Sequence, residues 1–267
     1  MTTIPFQKVK LPKTAHDFAP RFAFSLHKCG STLLVNLVED VLRAAKIPCV
    51  NPARELFSLG FSGPVWGADP GFLDLVKPGY VYTGFRDFPP TLTTQALAAT
   101  KSVLMVRDPR DALVSAYFSF GPGGSHKPPS KNKAAAKRMQ NRRAEEESLT
   151  IDEWVLNRMA HFNAKFMAYA PYLDLPQLQL FRYEDVFFDK LGFARALFAH
   201  FDFDIDDAIL VRAAAKHDVV PDTERPELHI RKGLPGDHKE KLLPKTIAAL
   251  NVGLKTAMDI YGYTDAA

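Results

Sequence analysis

The sequence contains little cysteine. Its 267 residues include only Cys29 and Cys49. Two cysteines do not form the disulfide framework that holds small secreted domains together, so the composition favours a reducing compartment. Neither cysteine has histidine partners at the spacing of a zinc site, and we therefore predict that the protein binds no metal.

Long apolar runs are also absent. Charged residues, proline or glycine interrupt every apolar run before it is long enough to cross a bilayer. Residues 1–11 lack the apolar stretch that is typical of a secretory signal. These two absences predict a cytoplasmic protein without a transmembrane segment.

The charge is nearly balanced. There are 34 Lys and Arg residues against 30 Asp and Glu residues, a net charge of +4. This small excess does not predict a nucleic-acid partner, but it suits a site for a polyanionic small molecule. With 46% hydrophobic residues, the chain can bury a large core, and we treat residues 1–267 as one domain.

Strand and helix patterns alternate along the chain. Residues 21–26 alternate as a strand does, a polar loop covers residues 27–32, and apolar residues then recur at helical spacing up to Pro48. Further strands are predicted at residues 80–85, 102–106 and 177–181. The alternation indicates an α/β domain with a central parallel sheet and helices on both faces.

Residues 121–148 have a different composition. A Gly-Pro-Gly-Gly segment is followed by many Lys and Arg residues and then by three consecutive Glu residues. We predict a mobile surface insertion with a short helix at residues 134–143. It is either a solvated loop without function or a lid over a substrate site. A basic nucleic-acid tail is disfavoured because no aromatic residues lie among the charges.

The loop at residues 27–32 suits an anion. A glycine-containing loop between a strand and a helix presents backbone N–H groups at the positive end of the helix dipole. Lys28 adds a cation, and Ser31 and Thr32 add hydroxyl donors. The loop is not a Walker A motif, because Lys28 precedes Gly30 instead of following the second glycine. An ordinary strand-to-helix turn is the alternative interpretation.

A second motif points to a family. Residues 106–117 read VRDPRDALVSAY after a buried strand, and this segment resembles the sulfotransferase superfamily. The resemblance implies the sulfotransferase variant of the P-loop-like fold, with 3′-phosphoadenosine 5′-phosphosulfate (PAPS) as cosubstrate. It also implies that Arg107 and Ser115 bind the 3′-phosphate of PAPS, and an arginine can contact phosphate through two hydrogen bonds. We assign Arg110 and Asp111 to a surface ion pair and to helix N-terminal charge.

The same resemblance assigns the loop at residues 27–32 to the 5′-phosphosulfate group. Lys28 falls on the family's cation, which stabilises the bridging oxygen as the sulfuryl group leaves. The neighbouring positions that the resemblance assigns to the donor are Cys29, Gly30, Ser31, Thr32 and Leu33. Leu33 stands where cytosolic members often carry a tryptophan that packs on the adenine.

Two later segments agree with this resemblance. Residues 181–185 read FRYED and resemble a strand-end block in which the tyrosine, here Tyr183, lies near the adenine. Residues 231–239 read RKGLPGDHK and resemble a segment that closes over the 3′-phosphate. There the resemblance assigns Arg231, Lys232 and Gly233 to the donor, and His238 stands where a tryptophan is usual.

The general base is the part of the family pattern that is missing. Gly84 stands where cytosolic members carry a catalytic histidine, and glycine has no side chain to accept a proton. Other branches of the family use a glutamate soon after the first helix, so Glu55 is our first candidate. Asp87 is the second candidate and His27 is the third. Glu55 could instead be a surface residue on a short helix, and His27 could instead be a donor of the phosphosulfate loop or a packed residue.

The acceptor is left open by the sequence. Several aromatic residues fall in the region that often lines the acceptor site in the family, although an aromatic cluster is more often core: Phe57, Phe61, Trp66, Phe72 and Phe85. A small molecule, a glycan or a lipid would offer the hydroxyl, or less often an amine. A non-catalytic protein that binds the nucleotide product and a P-loop-like nucleotide kinase are the rival functions.

Overall fold

The computed structural model describes residues 3–219 and 233–264. Its centre is a five-stranded, entirely parallel sheet in the order β2-β3-β1-β4-β5. The strands are β1 Arg21–Ser25, β2 Cys49–Val50, β3 Val81–Tyr82, β4 Ser102–Val106 and β5 Leu178–Arg182. The sequence pattern gives the bounds of β4 and places β1 and β5 within one residue. It makes β3 too long, since the strand predicted at residues 80–85 is only Val81–Tyr82, and it misses the two-residue edge strand β2.

Helices fill most of the remaining chain. They are α1 Ser31–Ala44, α2 Pro52–Ser58, α3 Gly63–Gly67, α4 Gly71–Leu75, α5 Thr94–Ala98, α6 Pro109–Phe120, α7 Lys133–Glu145, α8 Ile151–Met167, α9 Tyr183–Phe188, α10 Lys190–His200, α11 Asp207–His217, α12 Asp237–Lys241, α13 Pro244–Gly253 and α14 Lys255–Tyr261. Single turns of 3₁₀-helix lie at Phe6–Lys8 and Ala170–Tyr172. None of the helices in the described ranges is long and apolar enough to span a bilayer.

The sheet has a hydrophobic layer on each face, because neighbouring residues of a strand point to opposite sides. Ala23 and Val103 pack with α1, α10 and α11 on one face. Phe22 and Leu104 pack with α6, α8 and α13 on the other face. The prediction of an α/β fold with helices on both faces of a parallel sheet is confirmed.

The carboxyl ends of all five strands lie at one edge of the sheet. The loops that follow β1, β3, β4 and β5 therefore come together there, in the spatial order of the strands. This edge places the loop after β1 between the residues that follow β3 and those that follow β4.

Arg110 and Asp111 are buried, with 0% and 1% of their surfaces exposed. The prediction of a surface ion pair is therefore wrong for both. Arg110 donates hydrogen bonds to both carboxylate oxygens of Asp108, to Asn251 Oδ1 and to the Thr264 carbonyl oxygen. The C-terminal helices cover the start of α6, which a local sequence pattern does not reveal.

The segment at residues 121–148 contains a longer helix than predicted, α7, and it is attached to the body of the protein. The Lys131 amide donates to the Ser58 carbonyl oxygen, and Asn132 Nδ2 donates to that of Leu59, both at 2.9 Å. Arg143 donates to the carbonyl oxygens of Ser119 and His126. These contacts hold the insertion beside α2 and α6, and its mobility stays a prediction.

Candidate active site

A cavity of about 830 Å³ opens at the carboxyl edge of the sheet. Most of the residues that the sequence assigned to the site line it: His27, Lys28, Gly30, Ser31, Thr32, Leu33, Asp87, Arg107, Ser115, Tyr183 and Gly233. The cavity lining does not include Cys29 or Glu55. Arg231 and Lys232 lie outside the described residues.

The loop after β1 turns sharply into α1. Lys28 and Gly30 both have positive φ angles, 64° and 76°. Gly30 is also packed tightly: a Cβ there would lie 2.5 Å from Tyr183 Cδ2 and 2.8 Å from Met105 Sδ. The first turn of α1 faces the cavity through Ser31 and Thr32. The loop thus aims the positive end of a 14-residue helix into the cavity, where an anion is favoured.

Lys28 adds a full positive charge beside that helix end. Its Nζ donates to Ser119 Oγ at 3.1 Å and lies 5.9 Å from the ring centroid of Phe120. Both partners belong to the last turn of α6. The side chain is therefore held across the cavity, close to the first turn of α1.

Arg107 lies at the carboxyl end of β4. Its guanidinium stacks 4.8 Å from the ring centroid of Tyr183, and Nη2 donates to the Leu234 carbonyl oxygen at 3.1 Å. Its Nε is buried and has no hydrogen-bond partner among the described residues. A buried donor without an acceptor is costly, so this atom is suited to a ligand oxygen. Ser115, two turns into α6, lines the same cavity.

Asp111 organises the chain segment that approaches Arg107. Its carboxylate accepts hydrogen bonds from the Gly236 amide at 2.6 Å, the His238 amide at 2.9 Å and His238 Nδ1 at 2.6 Å. Burial opposes ionisation, but the hydrogen bonds from His238 and the charge of Arg107 hold the pKa of Asp111 well below its usual range. The carboxylate thereby fixes residues 236–238 against α6. Sequence reasoning missed this role, although Asp111 follows Arg107 by four residues.

Tyr183 completes this end of the cavity. Its hydroxyl donates to the Gly233 carbonyl oxygen at 2.7 Å, and its ring packs against the loop at Gly30. Only 8% of the residue is exposed. Tyr183 therefore connects three parts of the cavity wall: the loop after β1, Arg107 and Gly233.

The loop after β3 shows why no histidine stands at residue 84. Gly84 has a φ of 87°, which only glycine adopts readily. A Cβ at this position would overlap Asn51 Oδ1. The backbone and the neighbouring asparagine together exclude a side chain there.

Asp87 lies on the same loop and faces the cavity. Its carboxylate pairs with the Lys165 ammonium of α8. The two side chains are 11% and 10% exposed, so the pair is shielded from water. Lys165 also lines the cavity. It follows Asp87 by 78 residues, and no local sequence signal links the two.

His27 presents a neutral imidazole to the cavity. Burial lowers its pKa well below the usual value, and the neighbouring charges of Lys165, Arg86, His126 and Lys28 lower it further. Its Nδ1 is buried and has no hydrogen-bond partner among the described residues. An imidazole in this state can accept a proton or a hydrogen bond.

Glu55 points elsewhere. Its carboxylate accepts a hydrogen bond from Lys131 Nζ at 2.8 Å, and 35% of its side chain is exposed. The hydrogen bond from Lys131 lowers the pKa of Glu55. The structure thus pairs Glu55 with the insertion and does not bring it together with the loop after β1.

The remaining assigned side chains divide between cavity and core. Phe57 and Phe61 line the cavity, whereas Phe72 and Phe85 are fully buried in the hydrophobic core. Trp66 belongs to both, since it borders the cavity but is only 2% exposed and packs in the core. The Cys29 side chain is also fully buried, so only its backbone remains near the loop. No group of three or more metal-ligating side chains occurs within the described ranges.

Comparison with solved structures gives the class of fold. Mouse sulfotransferase SULT7A1, solved with 3′-phosphoadenosine 5′-phosphate (PAP), superposes with a TM-score of 0.60 at 16% identity, covering 92% of this chain and 84% of that one. Two structures of retinol dehydratase with PAP, one with androsterone and one with retinol, give TM-scores of 0.54 and 0.56 at 14% identity. Both cover 90% of this chain, and 80% and 81% of theirs.

The chain has the sulfotransferase fold. The resemblance seen in the sequence motifs is confirmed at the level of the fold, and the low sequence identity supports no more than that. No family model matches the sequence, and no curated protein matches it.

The geometry of Gly30 gives a test of the loop. We expect Gly30→Ala to destabilise the protein by more than Gly123→Ala. Both glycines have positive φ angles, 76° and 66°, but nothing lies within 4 Å of a Cβ at Gly123. The left-handed conformation costs about 1–2 kcal/mol in either variant, and overlap with Tyr183 adds to the cost only at Gly30. Urea unfolding of the two variants measures the difference, and equal losses would contradict the packing described for Gly30.

Proposed function

We propose that the protein is a sulfotransferase that moves a sulfuryl group from PAPS to a hydroxyl group of an acceptor. One observation carries the proposal. A single cavity joins the N-terminal end of α1 with Lys28, the buried and unpartnered Nε of Arg107, and the carboxylate of Asp87. The proteins with the same fold that were solved with PAP support the choice of nucleotide.

We assign the donor to the side of the cavity formed by the loops after β1, β4 and β5. Arg107 Nε and Ser115 would bind the 3′-phosphate, as phosphate suits a charged N–H donor and a hydroxyl. Tyr183 and Leu33 would offer apolar surface to the adenine. Arg231, Lys232 and Gly233 would also bind the 3′-phosphate, as the sequence resemblance predicts.

The first turn of α1 and Lys28 are assigned to the 5′-phosphosulfate. In the reaction, the bond between sulfur and the bridging oxygen breaks, and a bond between sulfur and the acceptor oxygen forms. Negative charge then grows on the leaving phosphate. Lys28 and the amides of the α1 N-terminus lie where they would stabilise that charge.

The acceptor hydroxyl must lose its proton to a base. We propose Asp87 for this role and place His27 second, because both line the cavity and Glu55 does not. Asp87 presents its carboxylate beside Lys165, and a carboxylate in this position could act as a general base. His27 is neutral and also able to accept one, but its cationic neighbours oppose its protonation.

We also propose a cytoplasmic location, since Cys29 and Cys49 are both free thiols and a reducing compartment keeps them so. None of the proposed steps uses a metal ion.

Nucleotide binding gives the first test of this function. We expect PAP to raise the melting temperature more than adenosine 5′-phosphate, which lacks the 3′-phosphate. A ligand present at about 100 times its Kd stabilises a protein by about 2.7 kcal/mol. Arg107→Met should remove most of the difference between the two nucleotides. Arg195→Met, on the exposed face of α10, is the control. Equal shifts with the two nucleotides would contradict the donor assignment.

Transfer itself is the second test. We expect the protein with PAPS to add sulfate to at least one compound in a pooled metabolite extract, detected by mass spectrometry as a sulfated product. Lys28→Met should lower turnover by about 100-fold or more while the PAP melting shift remains, because its charge acts in the transition state. Lys245→Met, an exposed lysine of α13, should behave as the parent. PAP binding without transfer to any compound would favour a non-catalytic binding protein.

The base assignment gives a third test. Asp87→Asn keeps the size of the side chain and removes its basicity, so we expect turnover on the confirmed acceptor to fall by about 100-fold or more. The PAP melting shift should not change. Lys165→Met is the matched control, because it breaks the same ion pair and leaves the carboxylate. An equal loss of turnover in both variants would show that the ion pair matters and that Asp87 is not the base. A larger loss of turnover in His27→Gln than in Asp87→Asn would assign the base to His27.

A further inference from the structure

Arg86 is a cation in the cavity that has no acidic partner among the described residues. It follows β3 and lines the cavity next to Asp87. Its Nη1 donates to the Phe85 carbonyl oxygen at 3.0 Å, and this is its only hydrogen bond within the described residues. No described carboxylate forms an ion pair with Arg86. The neighbouring carboxylate, Asp87, pairs with Lys165 instead.

Arg86 is half-buried in the cavity wall, and this partial loss of water makes the arrangement costly. Burial lowers the pKa of Arg86 to about 10, so the guanidinium remains protonated at neutral pH. A desolvated cation is normally paired, and a ligand anion would supply the missing partner. With Nη1 occupied by the backbone, Nε and Nη2 remain as the two parallel donors that match a carboxylate.

The position of Arg86 separates it from the donor. The residues assigned to PAPS follow β1, β4 and β5, whereas Arg86 follows β3, on the other side of β1 in the sheet order. The sulfuryl group, held by the loop after β1, would lie between the two. An anion at Arg86 therefore belongs to the acceptor and not to the phosphates of the donor.

The surroundings of Arg86 describe the rest of that acceptor. Phe57 and Phe61 line the cavity and offer apolar and aromatic surface, whereas Trp66 touches the cavity but is only 2% exposed. Apart from Arg86 and Arg107, the charged and titratable side chains that line the cavity are mainly basic: Arg54, His27, Lys28, His126, Arg142, His161, Lys165, Lys190 and His217. Asp87 and Asp237 are the acidic residues in this lining. Arg54 differs from Arg86, because it already pairs with Glu39 at 2.6 Å.

We propose that the acceptor is a hydroxylated carboxylic acid with an apolar body, and that Arg86 binds its carboxylate. This inference rests on the proposed sulfotransferase function and names the class of its acceptor. The apolar body lies against the aromatic residues, and the hydroxyl reaches the sulfuryl group near Asp87.

Matched probes test this inference without knowledge of the natural acceptor. The probes are 4-(hydroxymethyl)benzoate and 12-hydroxydodecanoate, each with its methyl ester, and calorimetry measures their binding with and without PAP. We expect at least one acid to bind about tenfold or more tightly than its ester, the worth of one charge-assisted hydrogen bond. Arg86→Met should remove the preference for the acid and leave ester binding and the PAP melting shift unchanged.

Arg54→Met is the matched control, since it removes a cavity arginine that already has a counter-ion, and the preference for the acid should survive it. Arg86→Lys should keep part of that preference if the Met variant fails to fold. Equal binding of acids and esters by the parent protein, or binding of neither, overturns the inference, as does loss of the PAP shift in Arg86→Met. Absence of a PAP shift in the parent instead refutes the proposed function, so the two failures are distinct.

Discussion

The parallel pairing of the five strands is the constraint on which the site depends. Because every strand runs in the same direction, every strand-to-helix connection starts at one edge of the sheet. The order of the strands then fixes which connections are neighbours. The loop after β1 lies between the loop that carries Asp87 and the strand end that carries Arg107. The helix α1, the arginine and the carboxylate thus meet, although Arg107 follows Lys28 by 79 positions in the sequence.

The two ends of the cavity differ in how far their arginines are compensated by carboxylates. At the end assigned to the donor, Asp111 compensates Arg107 and holds residues 236–238 in place. One donor atom, Arg107 Nε, is left over for a ligand. At the other end, Asp87 pairs with Lys165, and within the described ranges Arg86 donates only to a carbonyl oxygen. Buried cations normally find partners in the protein, and this unequal compensation is the reason why we propose that ligand anions bind at Arg107 and Arg86.

Backbone geometry limits which residues the site can use. Gly30 allows the loop to pass under Tyr183, and Gly84 allows the loop after β3 to pass Asn51. At Gly84 this geometry leaves no side chain that could accept a proton. Asp87, three residues further along the same loop, lies in the cavity, and it is the base in the function that we propose.

The sequence by itself determined the parallel α/β architecture, the strand β4 and the residues of the loop after β1. These features depend on local periodicity and on short motifs, which neighbouring residues specify. Only the tertiary structure decided that Arg110 and Asp111 are buried and that Glu55 pairs with Lys131. Such contacts join residues that are far apart in the chain. Their formation depends on how the C-terminal helices and the insertion pack on the sheet, and no local pattern records that packing.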